Sequence, residues 1–136
     1  VDRTLFIVKP DGVARGLVGE IVGRLEAKQL RLVAAELRTI DEATAARHYV
    51  EHVGKDYYDL LVEFITGGPS LVTVVAGPDD TWQVVRTLMG ATNSKEAAPG
   101  TIRGDLSVGY RENLVHGSDS AASAAREIEI FFPHLA

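Results

Sequence analysis

The chain has 136 residues, 46% of them hydrophobic, which suits one domain over residues 1–136 with a substantial core. It contains no cysteine, which excludes disulfides, thiolate zinc sites and thiol nucleophiles, and its net charge of −5 has the wrong sign for nucleic acid as a main partner. No apolar run approaches the roughly 20 residues of a membrane span, and Val1-Asp2-Arg3-Thr4 lacks a secretory signal pattern, so a cytoplasmic protein with no membrane partner is expected.

Leu5-Phe6-Ile7-Val8 is fully apolar and predicts a central strand. Lys9-Pro10-Asp11-Gly12 reads as a turn leaving it. Val18, Ile21, Val22 and Leu25 recur at helical spacing. Residues 30–37 form a second strand. Asp41 suits the N-cap of a short helix reaching about His52, and a further helix covers residues 57–65 before Gly67-Gly68-Pro69 breaks it. Residues 71–76 make a third strand, residues 81–89 a helix, and Asn113 to His116 a short fourth strand. Ala121, Ala124, Ala125, Ile128 and Phe132 share one face of a last helix.

The order β-α-β-(αα)-β-α-β-α fits an α/β (α+β) fold. It is the split β-α-β pattern of a ferredoxin-like, four-stranded antiparallel sheet with covering helices and an inserted helical hairpin. A doubly wound parallel sheet fits the same order, and sequence alone does not separate the two. Residues 90–112 have little periodicity and form a long loop, a length usually tied to function. With little apolar patterning to anchor it, this loop is expected to be ordered by neighbouring subunits.

The most informative segment is Asn113-Leu114-Val115-His116-Gly117-Ser118-Asp119-Ser120. It sets a histidine at the end of a short apolar strand, ahead of a turn and an amphipathic helix. Neutral imidazole is a good nucleophile near pH 7, because its ordinary pKa is close to 6.5. Thr101-Ile102-Arg103-Gly104-Asp105 lies just upstream, and Lys9 directly follows the first strand. Together they suggest a histidine that accepts a phosphoryl group from a bound nucleotide. Neither G-x-x-x-x-G-K-[ST] nor G-x-G-x-x-G occurs, so P-loop and Rossmann chemistry are not supported.

Five stretches in the same order resemble the nucleoside diphosphate kinase family of prokaryotic type: residues 4–13, His48-Tyr49, Gly90-Ala91-Thr92-Asn93, residues 98–105 and residues 113–120. The resemblance implies transfer of the γ-phosphoryl group of a nucleoside triphosphate to a nucleoside diphosphate through a phosphohistidine at His116, maintaining nucleotide pools. It implies that Glu127 orients His116, with Ser118 supporting that carboxylate. It assigns Lys9, Arg86 and Arg103 to the phosphates as cations, Thr92 as a hydroxyl donor and Tyr49 as a tyrosine reaching the same region. It places Tyr57 as the ring that stacks on the base and Asn113 as a contact of the ribose. Mg²⁺ is expected to arrive on the nucleotide phosphates, with no metal-binding residue of the protein. A homo-oligomer is implied, a hexamer ahead of a tetramer. Two positions depart from the family pattern: Lys55-Asp56-Tyr57-Tyr58 stands where Lys-Pro-Phe-Phe is frequent, and Asn93-Ser94-Lys95 replaces Asn-Pro-Ala.

Two readings of other classes compete. A nucleotide-binding regulator would keep the pocket without turnover. A zinc peptidase would use His48-Tyr49-Val50-Glu51-His52, which fits H-x-x-E-H, with His48 and His52 on one helical face.

Overall fold

The structure, a computed structural model, describes residues 2–136. Its strands are β1 (Asp2–Val8), β2 (Arg31–Arg38), β3 (Ser70–Gly77) and β4 (Val115–Gly117). They form one sheet in the order β2-β3-β1-β4, and all three pairings are antiparallel. That decides for the ferredoxin-like sheet and against the doubly wound alternative. Helices α1 (Pro10–Ala14) and α2 (Val18–Ala27) connect β1 to β2, and α3 (Glu42–His48) and α4 (Tyr58–Thr66) form the inserted hairpin. Helices α5 (Thr81–Met89) and α6 (Ile102–Leu106) precede β4, and α7 (Ala121–Phe131) follows it.

β1 is apolar on both faces because both faces are covered. Successive side chains of a strand point to opposite sides. Phe6 and Val8 join a core with Ile21 and Leu25 of α2 and Val85 and Met89 of α5. Leu5 and Ile7 join a second core with Ala45 of α3, Ile65 of α4 and Ile128 and Phe131 of α7.

Three local readings are corrected. Lys9-Pro10-Asp11-Gly12 opens α1 instead of making a plain turn; proline at the first helical position and an acidic first turn are helix-start signals. The helix expected to reach His52 ends at His48 and gives way to a 3₁₀ turn over Val50–His52. Its buried face runs out there, since Val50 and Val53 are 52% and 60% exposed. The Asp41 cap holds, with its side chain accepting the Thr44 N–H at 2.7 Å. β4 begins at Val115 because Leu114 adopts a left-handed backbone, φ 74°, which breaks the extended run.

The long segment 90–112 has anchors within its own chain, which corrects the reading that too little in the chain holds it. It contains a 3₁₀ turn (Ser94–Glu96) and α6, and Ile102 is fully buried in the core beside α5. Arg24 of α2 donates to the Thr101 carbonyl at 3.3 Å and to Asp105 at 2.8 Å, and Arg15 donates to the Leu106 carbonyl at 2.7 Å. Asn93, which precedes Ser94 where the family favours proline, accepts the Lys95 N–H at 3.2 Å. Gly104 is required here, because a Cβ would collide with the Ala98 carbonyl.

Candidate active site

The antiparallel register sets His116 opposite Ile7 on β1, between the buried Val115 and Gly117. Alternation turns its neighbours into the α2/α5 core and His116 the other way, towards α3 and α7. Nε2 of His116 lies 2.9 Å from Oε1 of Glu127, and the Ser118 hydroxyl donates to the same oxygen at 2.7 Å. Burial pushes the Glu127 carboxyl up. The His116 charge, the His116 hydrogen bond, His48 and Ser118 outweigh it and hold the group at about 2. A carboxylate that stays ionised accepts, so Nε2 carries the proton. In the neutral ring Nδ1 of His116 is then the nitrogen that holds the lone pair.

A cavity of about 360 Å³ opens beside His116. Lys9, Tyr49, Tyr57, Arg86, Thr92, Arg103 and Asn113 line it together with His116. Thus eight of the ten residues singled out from sequence meet in one hollow, and Ser118 and Glu127 stand behind the histidine. Lys9 sits where β1 ends. Its backbone N–H donates to the Leu114 carbonyl at 2.8 Å, and its Nζ donates to the Arg111 carbonyl at 3.2 Å. Burial, reinforced by Arg103 and opposed by Asp11, lowers the Lys9 amine to about 8. Arg86, in the last turn of α5, donates to the Gly117 carbonyl at 2.9 Å. Arg103 is 4% exposed and donates to three carbonyls: Asn113 at 3.1 Å, Gly90 at 3.1 Å and Val115 at 2.7 Å. Burial, then Arg86, lowers it to about 10 against Asp11. Asn113 donates to the Thr92 carbonyl at 2.9 Å.

The aromatic wall comes from the helical hairpin. The Tyr57 hydroxyl is 3.1 Å from Nδ1 of His52, and the Arg111 guanidinium lies 5.7 Å from the Tyr57 ring centre. Burial and then Glu127 raise the Tyr49 phenol well above its ordinary value. Arg111 and His52 also line the cavity, and sequence reading did not place them there. A basic residue near the asparagine-bearing strand was the available signal for Arg111.

His48 is 5% exposed and packs edge-on to His116, with ring centres 4.5 Å apart. Neither of its ring nitrogens has a hydrogen-bond partner among the described residues. Burial, then the charge of His116, depresses its pKa from 6.5 to about 3, against Glu127. The zinc-peptidase geometry is not present. His48 ends α3 and points into the core, whereas His52 lies in the next turn with Nδ1 facing Tyr57 and Lys55.

These shifts set a pH dependence. The folded chain refuses a proton on His48 that the unfolded chain takes up below 6.5. The stability present above that pH is therefore lost as pH falls towards about 3. Glu127 adds a loss of the same sign between about 4.5 and about 2. Urea unfolding of the metal-free protein at pH 7, 5 and 4 should show a falling free energy, on the order of 4 kcal/mol at most from His48. His48→Phe should flatten the part of the curve above pH 5.

A family model described as nucleoside diphosphate kinase matches residues 2–136. A nucleoside diphosphate kinase of Nocardioides sp. is 59% identical over 133 residues, covering 98% of each chain. One from Thermobifida fusca is 54% identical over the full length of both chains. The structure is similar to that of a halophilic nucleoside diphosphate kinase from Halobacterium salinarum in complex with CDP. The TM-score is 0.93 at 50% identity, covering 96% of this chain and 87% of that one.

Proposed function

The chain belongs to the nucleoside diphosphate kinase family, and on that footing we infer that it passes the γ-phosphoryl group of a nucleoside triphosphate to a nucleoside diphosphate by way of His116. The observation that carries the assignment to this residue is the 2.9 Å contact between Nε2 and Glu127, which in the neutral ring puts the lone pair on Nδ1 of a residue that lines the cavity. The Nδ1 lone pair forms the N–P bond. The bond from the γ-phosphorus to its bridging oxygen breaks, and the electron pair leaves on the diphosphate. A second diphosphate then takes the phosphoryl group by the reverse step, so one pocket serves donor and acceptor in turn.

Lys9, Arg86 and Arg103 bring positive charge to the end of the cavity where the phosphoryl group would move. Electrostatic stabilisation and positioning are most of what this reaction asks of a protein. Thr92 adds a hydroxyl, Tyr49 a phenol near the reacting histidine, and Asn113 an amide towards the ribose. Among the described residues no carboxylate lines the cavity. That donor set fits Mg²⁺ arriving on the phosphates with its waters, without a protein cage. A non-catalytic regulator would not need the His116–Glu127–Ser118 array.

Incubation with γ-labelled ATP tests the reading. Label should remain on the protein in acid-labile, base-stable form and then transfer to any added diphosphate. EDTA should stop labelling, and Mg²⁺ should restore it. Absence of retained label would overturn the covalent route.

Tyr57 offers a ring face in place of a hydrogen-bond code, so all common bases should react. Tyr57→Ala should raise KM for every nucleotide by about 5- to 150-fold, the equivalent of the 1–3 kcal/mol that a stacked base is worth. A series of four diphosphates measures this, and a loss confined to one base would remove Tyr57 as a general platform.

The same reading includes a cytoplasmic homo-oligomer, a hexamer ahead of a tetramer, built from one domain per chain. β2 is an edge strand with Leu37 62% exposed, which supports assembly between copies.

A further inference from the structure

We propose that His48, His116 and Glu127 form a binding site for a divalent transition-metal cation of the Zn²⁺ class, and that metal binding there blocks phosphoryl transfer. The site stands on its own geometry; its inhibitory effect rests on His116 being the phosphoryl acceptor.

Two imidazoles and one carboxylate are a donor set that Zn²⁺ accepts with a fourth position left for water. Potential ligand atoms of the three residues all lie within 4.8 Å of one another. Zinc–nitrogen bonds of about 2.0–2.1 Å place tetrahedral ligands roughly 3.3 Å apart. The 2.9 Å His116–Glu127 contact is already near that spacing. The widest separation would have to close by about 1.5 Å, which is the scale of a side-chain rotation.

The independent observation is His48 itself. It is 5% exposed, and both ring nitrogens lack partners among the described residues. A buried polar group in that state is costly unless something satisfies it. Its ring meets His116 edge-on at 4.5 Å and Phe131 at 5.5 Å, which fixes it beside the histidine it would join. Support for the ligands is also present. Ser118 donates to Glu127 at 2.7 Å, and Arg126 lies 3.6 Å from its second oxygen. A hollow of about 190 Å³ adjoins the three residues and has room for a water ligand. Mg²⁺ is a poor candidate, because it prefers an oxygen octahedron, whereas imidazole suits zinc-class ions.

Inhibition follows from the bonding of imidazole. A neutral ring has one lone-pair nitrogen. With the metal on either nitrogen of His116, the ring proton sits on the other, and no lone pair faces phosphorus. Metal and phosphoryl group are therefore mutually exclusive on His116.

Co²⁺ serves as the spectroscopic probe on the full chain. One Co²⁺ per chain should give the intense visible bands of four-coordination. Zn²⁺ should displace it and suppress labelling by γ-labelled ATP at saturating Mg²⁺-nucleotide. His48→Phe keeps a ring in the core and should weaken metal binding by about tenfold or more. Should that variant not fold, the wild-type protein decides: prior phosphorylation should abolish the Co²⁺ bands. Weak six-coordinate bands would overturn the site. So would equal Zn²⁺ inhibition in His48→Phe. Bands lost in His48→Phe but indifferent to ATP would keep the site and overturn His116 as acceptor.

Discussion

His116→Ala should abolish phosphoryl transfer, lowering it by roughly 10⁴-fold or more while leaving nucleotide binding within a fewfold of the parent protein. A 10⁴-fold loss is about 5.5 kcal/mol of barrier. That size is expected because the variant loses the covalent route itself, and the charges around it do not replace a nucleophile. Binding persists because Lys9, Arg86 and Arg103 stay on the cavity wall, held by carbonyls of residues 90, 111, 113, 115 and 117, and not by the imidazole. Parallel measurements of label retention and of nucleotide affinity by calorimetry separate the two effects. Transfer above about one per cent of the parent rate would remove His116 from the role.

Arg103→Ala should cost both stability and turnover. The guanidinium donates to the carbonyls of Asn113, Gly90 and Val115, and it is almost fully buried. Removing it strands those acceptors, each worth about 1–3 kcal/mol when left buried without a donor. Water entering the gap will recover part of this, so a net loss of about 3–5 kcal/mol is expected. Arg103→Lys should recover little, since one ammonium on a flexible stem does not reproduce the planar fork. Urea unfolding gives the stability loss. Labelling of the fraction that remains folded gives the effect on chemistry. A variant as stable as the parent would show that the three contacts are not a structural tie.

Arg103 also joins the start of the long segment, at Gly90, to the strand that carries His116. Sequence reading found Arg103 as a cation facing phosphate but not its structural task. Charge and motif order were visible, whereas three carbonyl acceptors far apart along the chain were not. The same limit explains why segment 90–112 read as unanchored: its ties are arginines from α1–α2 and from within, with no apolar period to announce them. The strands and principal helices were legible because their patterning is strong, as in Leu5-Phe6-Ile7-Val8, buried on both faces. Whether the sheet was parallel was not legible, since strand order is settled by tertiary packing. His48 was noticed in the family stretch His48-Tyr49 and in H-x-x-E-H, whereas its contact with His116 depends on how α3 meets β4.

Leu114 shows how the site-bearing strand is constrained over evolutionary change. Its backbone lies at φ 74°, a region that costs a non-glycine residue about 1–2 kcal/mol. Its side chain is fully buried in the α2/α5 core, where losing it would cost about 2–5 kcal/mol. Glycine would satisfy the dihedral and empty the core. A β-branched residue would fill the core and aggravate the dihedral. Every single-step change therefore trades one defect for another, and leucine is a local optimum without being a comfortable fit. Its neighbours are tied in as well, because its N–H donates to Asp11 at 3.0 Å and its carbonyl accepts from Lys9. Lineages that relax this position would need a compensating change in the surrounding core first, so the approach to His116 should drift more slowly than its exposed flanks.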